Sequence, residues 1–288
     1  MSGAPPRLRP GTEVAPGVTV IRSIARSDVL DVYDAWDARR ASRVVAKVLR
    51  PDRLAHRPSR AGLLREGRLL RALDHPHLVR AYGLVERPDP VLLLETLPGE
   101  TLARLIDRSA ESGRRIDARS LAVLGLQLCS AIGYLHAEGV VHLDLKPANI
   151  IAGEARATVI DLNHARQPGR MKAGTGTWCY AAPEQARGGE VGVAADVWGV
   201  AIVLWECATA QLAFGDDDGD EETDTPQLAR SVAPVGRHRR LPGAFAAAID
   251  GALAPDPAAR ATLADLARAC EDAAGLPARE RRLSRTLG

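Results

Sequence analysis

The apolar residues of this chain change their period part-way along, and that change limits the fold more than any other feature. Between Val18 and Leu49 they alternate in short runs broken by charged turns, the pattern of antiparallel strands. Ser59 to Leu73 reads as a helix stopped by Asp74-His75-Pro76. Val91 to Leu97 is a further apolar strand, ended by a turn at Pro98-Gly99. Helical spacing then dominates: Leu102 to Ser109, Arg119 to Glu138, Ala195 to Ala210, Ala244 to Leu253 and Leu263 to Ala274. Two β-like runs interrupt it, Val140-Val141 and Thr158 to Ile160, each feeding a polar loop. A strand-rich front and a helix-rich back predict an α+β protein of two lobes with a cleft between them.

Composition sets the outer bounds. With 288 residues, 46% hydrophobic and 26% charged, the chain can build two lobes with a sizeable core. The 38 basic residues against 36 acidic ones leave +2, so no nucleic-acid or membrane surface dominated by basic charge is expected. Cys129, Cys179, Cys207 and Cys270 form no C-x-x-C pair, which argues against structural zinc and disulfides and for a reducing cytoplasm. Residues 1–15 read as a disordered leader with no signal peptide, residues 16–97 and 98–275 as the two lobes, and residues 276–288 as a tail. No run approaches the roughly 18 consecutive apolar residues of a membrane span; Val197 to Ala208 comes nearest and carries Glu206. The acidic run Asp216 to Asp224 reads as a solvated loop. Abundant Ala and Arg with 3% aromatic residues suggest a GC-rich bacterial genome.

Several charged residues fall where a bystander would be costly. Alternation puts Val45 and Lys47 on one strand face, and Glu66 lies on the apolar stripe of Leu63, Leu70 and Leu73. A carboxylate there needs a cation, and Lys47 is the natural one. The loop His142-Leu143-Asp144-Leu145-Lys146-Pro147-Ala148-Asn149 gathers four polar or charged groups, and the strand at Thr158 to Ile160 delivers Asp161.

That loop resembles the H-R-D-L-K-P-x-N catalytic loop of eukaryotic-type (Hanks-type) Ser/Thr protein kinases. Val44-Val45-Ala46-Lys47 resembles V-A-I-K, Asp161-Leu162-Asn163 stands at D-F-G, and Gly176 to Glu184 resembles G-T-x-x-Y-x-A-P-E. Asp196-Val197-Trp198 matches the D-x-W of the following helix, and Arg260 matches the Arg that pairs with the A-P-E Glu. The resemblance runs from about Val18 to Ala274. It implies a bilobal protein-kinase fold, with a small antiparallel β-rich N-lobe plus one helix and a larger, mainly α-helical C-lobe. By the same resemblance Asp144 accepts the proton of the attacking hydroxyl, and Lys146 steadies the transferring phosphoryl group. Lys47 with Glu66 positions the ATP phosphates, and Asn149 and Asp161 hold Mg2+ or Mn2+. Adenine would lie among Ile24, Val32, Val45 and Ile151, bonded to the hinge backbone at Glu95 to Leu97 with Leu94 behind it. The implied partners are ATP and a protein substrate, with a separate regulatory protein as a further partner.

Three departures qualify the resemblance. Ala25, Ser27 and Leu30 stand at the glycine positions of the phosphate-covering loop, so backbone N–H groups lose their unobstructed approach to phosphate. Asn163 replaces the glycine of D-F-G, a position where Asn could take a left-handed backbone. Leu143 replaces the Arg that in much of the family pairs with a phosphorylated activation loop, so activity independent of such phosphorylation is expected, with Thr175 and Thr177 as candidate sites. Two alternatives remain open at this point. One is a pseudokinase scaffold, suggested by the missing glycines; the other is a small-molecule kinase of the aminoglycoside-phosphotransferase kind, disfavoured by the A-P-E segment.

Overall fold

In the computed structural model, residues 5–215 and 225–276 are described, so the acidic run at 216–224 and all but the first residue of the tail at 276–288 lie outside them. The chain divides into two compact units. One holds the residues up to Pro98 together with Ile160–Asn163, and the other holds Gly99–Val159 and the chain from His164 onward.

The first unit is a six-stranded antiparallel sheet with one helix. Its strands are β1 (Glu13–Ala15), β2 (Val18–Arg26), β3 (Leu30–Asp37), β4 (Ser42–Leu49), β5 (Ala81–Val85) and β6 (Val91–Leu94), in spatial order β1-β2-β3-β4-β6-β5. Val18, Val20, Tyr33, Ala35, Val44, Ala46 and Leu93 bury one face of it. Alternation along β4 leaves Val45 and Lys47 on the opposite face, where Lys47 stands across from Val32 on β3 and Leu92 on β6. The helix α1 (Arg57–Ala72) starts at a proline in its first turn and buries Leu63, Glu66 and Leu70 towards β5 and β6.

One expectation for this unit is corrected and one element was missed. From Pro5 on, the leader expected over residues 1–15 is structured. The Arg26 guanidinium donates to the Pro5 carbonyl (2.7 Å), Leu8 N–H donates to the buried Tyr33 hydroxyl (2.9 Å), and β1 joins the sheet. A proline-rich composition suggested disorder, but the buried polar groups Asp31 and Tyr33 on β3 draw the segment in. β5, with its exposed Tyr82, carries too weak an alternation to be read from sequence.

The second unit is mainly helical. It contains β7 (Glu100–Thr101), α2 (Leu102–Ser112), α3 (Ala118–Ala137), β8 (Ile150–Ala152), β9 (Ala157–Val159), β10 (Gly169–Met171), α4 (Pro183–Arg187) and β11 (Gly189–Val191). The remaining helices are α5 (Val193–Thr209), α6 (Pro226–Ala229), α7 (Gly243–Ala252) and α8 (Leu263–Ala273). Thr101, Asp117 and Thr262 accept hydrogen bonds from the first-turn amides of α2, α3 and α8 and fix where those helices begin. α5 is buried along its length from Ala195 to Thr209, as an all-round apolar helix must be, and it packs against α3 and α7. The described residues hold one helix long and apolar enough to cross a membrane, α3, half buried inside the fold. Its Ser120, Gln127 and Ser130 interrupt any continuous apolar run, so a search for such a run passes over it.

Candidate active site

In the first unit, register brings a lysine from β4 to a carboxylate on α1. Lys47 Nζ lies 2.7 Å from Glu66 Oε1 and 3.6 Å from Asp161 Oδ1, with the Lys47 and Glu66 side chains 8% and 0% exposed. Burial works against both charges. For Lys47, attraction to Glu66 and Asp161 outweighs it and holds the ammonium above its ordinary value. Burial pushes the Glu66 carboxyl up, and the Lys47 charge offsets part of that rise. Glu66 Oε2 is buried with no hydrogen-bond partner among the described residues.

Asp161 is fixed by its own turn: Asn163 N–H donates to Asp161 Oδ1 (2.9 Å), while Arg65 donates to the Asn163 carbonyl (3.1 Å). The left-handed backbone anticipated at Asn163 is not adopted; Asn163 is absent from the residues of positive φ. Gly62 of α1 leaves room beside it, since a Cβ there would come within 3.3 Å of Asn163 Oδ1.

The hairpin between β2 and β3 is closed on itself. Ser27 N–H donates to the Leu30 carbonyl (2.8 Å), and Ser27 Oγ accepts from the N–H groups of Val29 (3.3 Å) and Leu30 (3.0 Å). Arg50 and Arg53 then tie the Ser27 and Asp28 carbonyls from outside, each at 3.2 Å. Arg26 and Asp31 form a two-pronged ion pair at the base, at 2.6 and 2.8 Å. Ile24 is 48% exposed beside a register irregularity of the β2–β3 ladder, and Val32 and Val45 are half-buried on the Lys47 face. The Glu95 N–H is spent on the Arg80 carbonyl (3.0 Å), so a hinge contact from Glu95 would use its C=O. Leu97 is half-buried just beyond it.

In the second unit the predicted loop residues converge on one carboxylate. Thr177 donates to Asp144 Oδ1 through both its N–H (2.9 Å) and its hydroxyl (2.6 Å). Lys146 Nζ lies 3.1 Å from Asp144 Oδ2 and 2.6 Å from the same Thr177 hydroxyl. Asn149 Nδ2 donates to the Asp144 carbonyl (3.0 Å) and carboxylate (3.1 Å). Ile151, on β8, is half-buried and paired opposite Thr101 and Thr158.

Two supports hold this loop. Asp196, from the first turn of α5, accepts from the N–H groups of His142 and Leu143, both at 2.8 Å, and from His136 at 2.8 Å. Gln185 on α4 donates to the Leu143 carbonyl at 2.9 Å. Sequence reading passed over Gln185, because a polar residue on a short helix carries no periodic signal. Glu184 and Arg260 pair as expected, through two bonds of 2.7 and 3.0 Å.

A β-sheet unit carrying a buried Lys–Glu pair, and a helical unit carrying an Asp–Lys–Asn loop braced by A-P-E and Arg260, define a protein kinase domain. Residues 19–270 match the protein kinase domain family, and the chain belongs to it. Its curated relatives include serine/threonine-protein kinase PknD of Mycobacterium tuberculosis, 31% identical over 282 residues, which are 95% of this chain and 41% of PknD. PknB of the same organism is 32% identical over 241 residues, 79% of this chain and 38% of PknB. A probable serine/threonine-protein kinase of Streptomyces coelicolor is 31% identical over 208 residues, 67% of this chain and 30% of that protein. The chain thus spans 30 to 41% of the length of these relatives.

Proposed function

We propose that this chain transfers the γ-phosphoryl group of ATP to Ser or Thr hydroxyls of a protein substrate. The reading rests on Asp144. Its carboxylate already accepts a 2.6 Å hydrogen bond from a threonine hydroxyl whose oxygen Lys146 contacts, the arrangement an attacking hydroxyl needs. In the step, the substrate oxygen bonds to γ-phosphorus as the bridge to ADP breaks, and the hydroxyl proton passes to Asp144. Lys146 offsets charge on the moving phosphoryl group, and Lys47, paired with Glu66, contacts the non-transferred phosphates. The partly exposed Asp161 carboxylate and the Asn149 amide oxygen are hard donors suited to Mg2+ or Mn2+. Such an ion, when bound, neutralises charge on the phosphates. Ile24, Val32, Val45 and Ile151 offer apolar surface for adenine, with the backbone of Glu95 and Leu97 as its polar partners.

Intact-mass analysis after incubation with ATP and Mg2+, beside Asp144→Asn and with a generic protein acceptor, tests the reading. Phosphate on the acceptor with the wild type alone is the expected result. No transfer by either protein, with Mn2+ also tried, would overturn it.

A further inference from the structure

Leu143 is an unusual residue to find immediately before Asp144. It is a non-glycine residue at φ +66, a left-handed conformation that costs an L-residue about 1–2 kcal/mol. It is also 3% exposed and apolar, so it offers no cation to a phosphate on the neighbouring segment. Both of its peptide groups are nevertheless held. Its N–H goes to Asp196, and its C=O accepts from Gln185 Nε2 at 2.9 Å.

Gln185 does more than hold that carbonyl. It is 2% exposed, and every polar atom of its amide is used. Nε2 also donates to the Thr175 carbonyl (3.1 Å), and Oε1 accepts from the Ala182 N–H (3.0 Å). Its main-chain carbonyl accepts from Gly174 N–H (3.1 Å). One uncharged residue thus joins the catalytic loop, the segment at Gly174–Thr175 and the start of α4. Gly176 completes the fit, since its φ is +99 and a Cβ there would come within 2.6 Å of the Leu143 carbonyl oxygen. Thr177, the next residue, then meets Asp144.

We infer that Gln185 is a positioning residue that sets the 174–177 segment against the catalytic loop with no phosphate present. A carboxamide is suited to this role because it offers two donors to two carbonyls and one acceptor to an amide, and none of these titrates. In the isosteric variant Gln185→Glu the carboxylate cannot donate while ionised, and it would direct negative charge at two carbonyl oxygens. When protonated it recovers one donor. Burial raises such a carboxyl, so recovery falls on the lower-pH side.

The test uses the full chain freed of phosphate by a phosphatase, as wild type, Gln185→Glu and Gln185→Met. Amide hydrogen exchange of the peptide covering 172–181 is compared at pH 6 and pH 8 after correction for intrinsic rates, with kcat and ATP KM measured alongside. Expected is a protected segment in the phosphate-free wild type and exchange at least about tenfold faster in both variants. Gln185→Glu should recover part of the protection at pH 6, and Gln185→Met none. kcat should fall by a similar factor with ATP KM unchanged. Wild-type exchange in both variants would overturn the inference, as would a wild-type segment that becomes protected only after phosphorylation. The activity measurement alone rests on the kinase reading. A wild type that transfers no phosphate counts against that reading, while the exchange comparison still decides the role of Gln185.

Discussion

Arg260 holds Glu184 by two hydrogen bonds from one guanidinium, at 2.7 and 3.0 Å, across 76 residues of chain. The same group donates to the carbonyls of Ala254 (3.0 Å) and Ala194 (2.7 Å) and lies 5.3 Å over the Trp198 ring. It thereby fixes the start of α4 to the core helix α5, the frame on which Gln185 stands. Arg260→Ala leaves a largely buried carboxylate with no cation, so unfolding stability should drop by about 3–5 kcal/mol. Arg260→Lys keeps the charge but not the fork or the ring contact, and should recover only part of the loss. Urea unfolding of the three proteins measures this, and equal midpoints for lysine and arginine would refute the geometric argument.

The Lys47–Glu66 pair allows stability to be separated from activity. Lys47→Met strands a fully buried carboxylate and should cost about 3–5 kcal/mol. Phosphoryl transfer should fall about 10²–10³-fold, since a preorganised donor to developing charge is lost. Adding Glu66→Leu removes the stranded charge. The double variant should then regain most of the thermal midpoint and none of the transfer rate. If activity returned with stability, Lys47 would be a structural cation only.

The closed hairpin makes a prediction about affinity. Ser27 Oγ occupies the amides of Val29 and Leu30, groups that a glycine-bearing loop would offer to phosphate. Ser27→Gly together with Asp28→Gly frees those amides and removes a nearby negative charge. Titration calorimetry with a non-hydrolysable ATP analogue should show binding tightened about two- to tenfold, with adenosine affinity unchanged. Equal gains for adenosine would place the effect away from the phosphates.

Much of this was legible in the residue order, for reasons that differ by element. The strands from Val18 to Leu49 and the long helices declare themselves by period, because one face of each is buried. The Lys47–Glu66 contact was legible because a carboxylate on an apolar stripe has few physical resolutions. What stayed hidden was set by tertiary partners. The Pro5–Ala15 segment is ordered by Tyr33 and Arg26. Asn163 takes no positive φ, and Gly62 beside its side chain and Arg65 on its carbonyl are tertiary neighbours the sequence does not announce. Gln185 acquires its role only when Leu143 and Thr175 are brought to it.

Glu206 should make stability depend on pH in the opposite sense to an ordinary paired carboxylate. It lies on α5, 3% exposed, accepting from the Tyr180 hydroxyl and the Ala213 N–H, both at 3.1 Å. Burial pushes its carboxyl from 4.5 up to about 7, and the two hydrogen bonds keep it from rising further. A carboxyl raised in the folded state favours folding in full below its unfolded value near 4.5, and that contribution is lost as pH climbs towards 7. The loss is of the order of 3 kcal/mol. Glu206→Gln keeps an acceptor and cannot ionise, so its stability should exceed that of the wild type by most at about pH 8 and by least at about pH 5. Thermal unfolding across that range checks the sign. Parallel curves would mean that Glu206 holds the same charge folded and unfolded, and that its burial among Tyr180, Cys179 and Cys207 does not govern its proton.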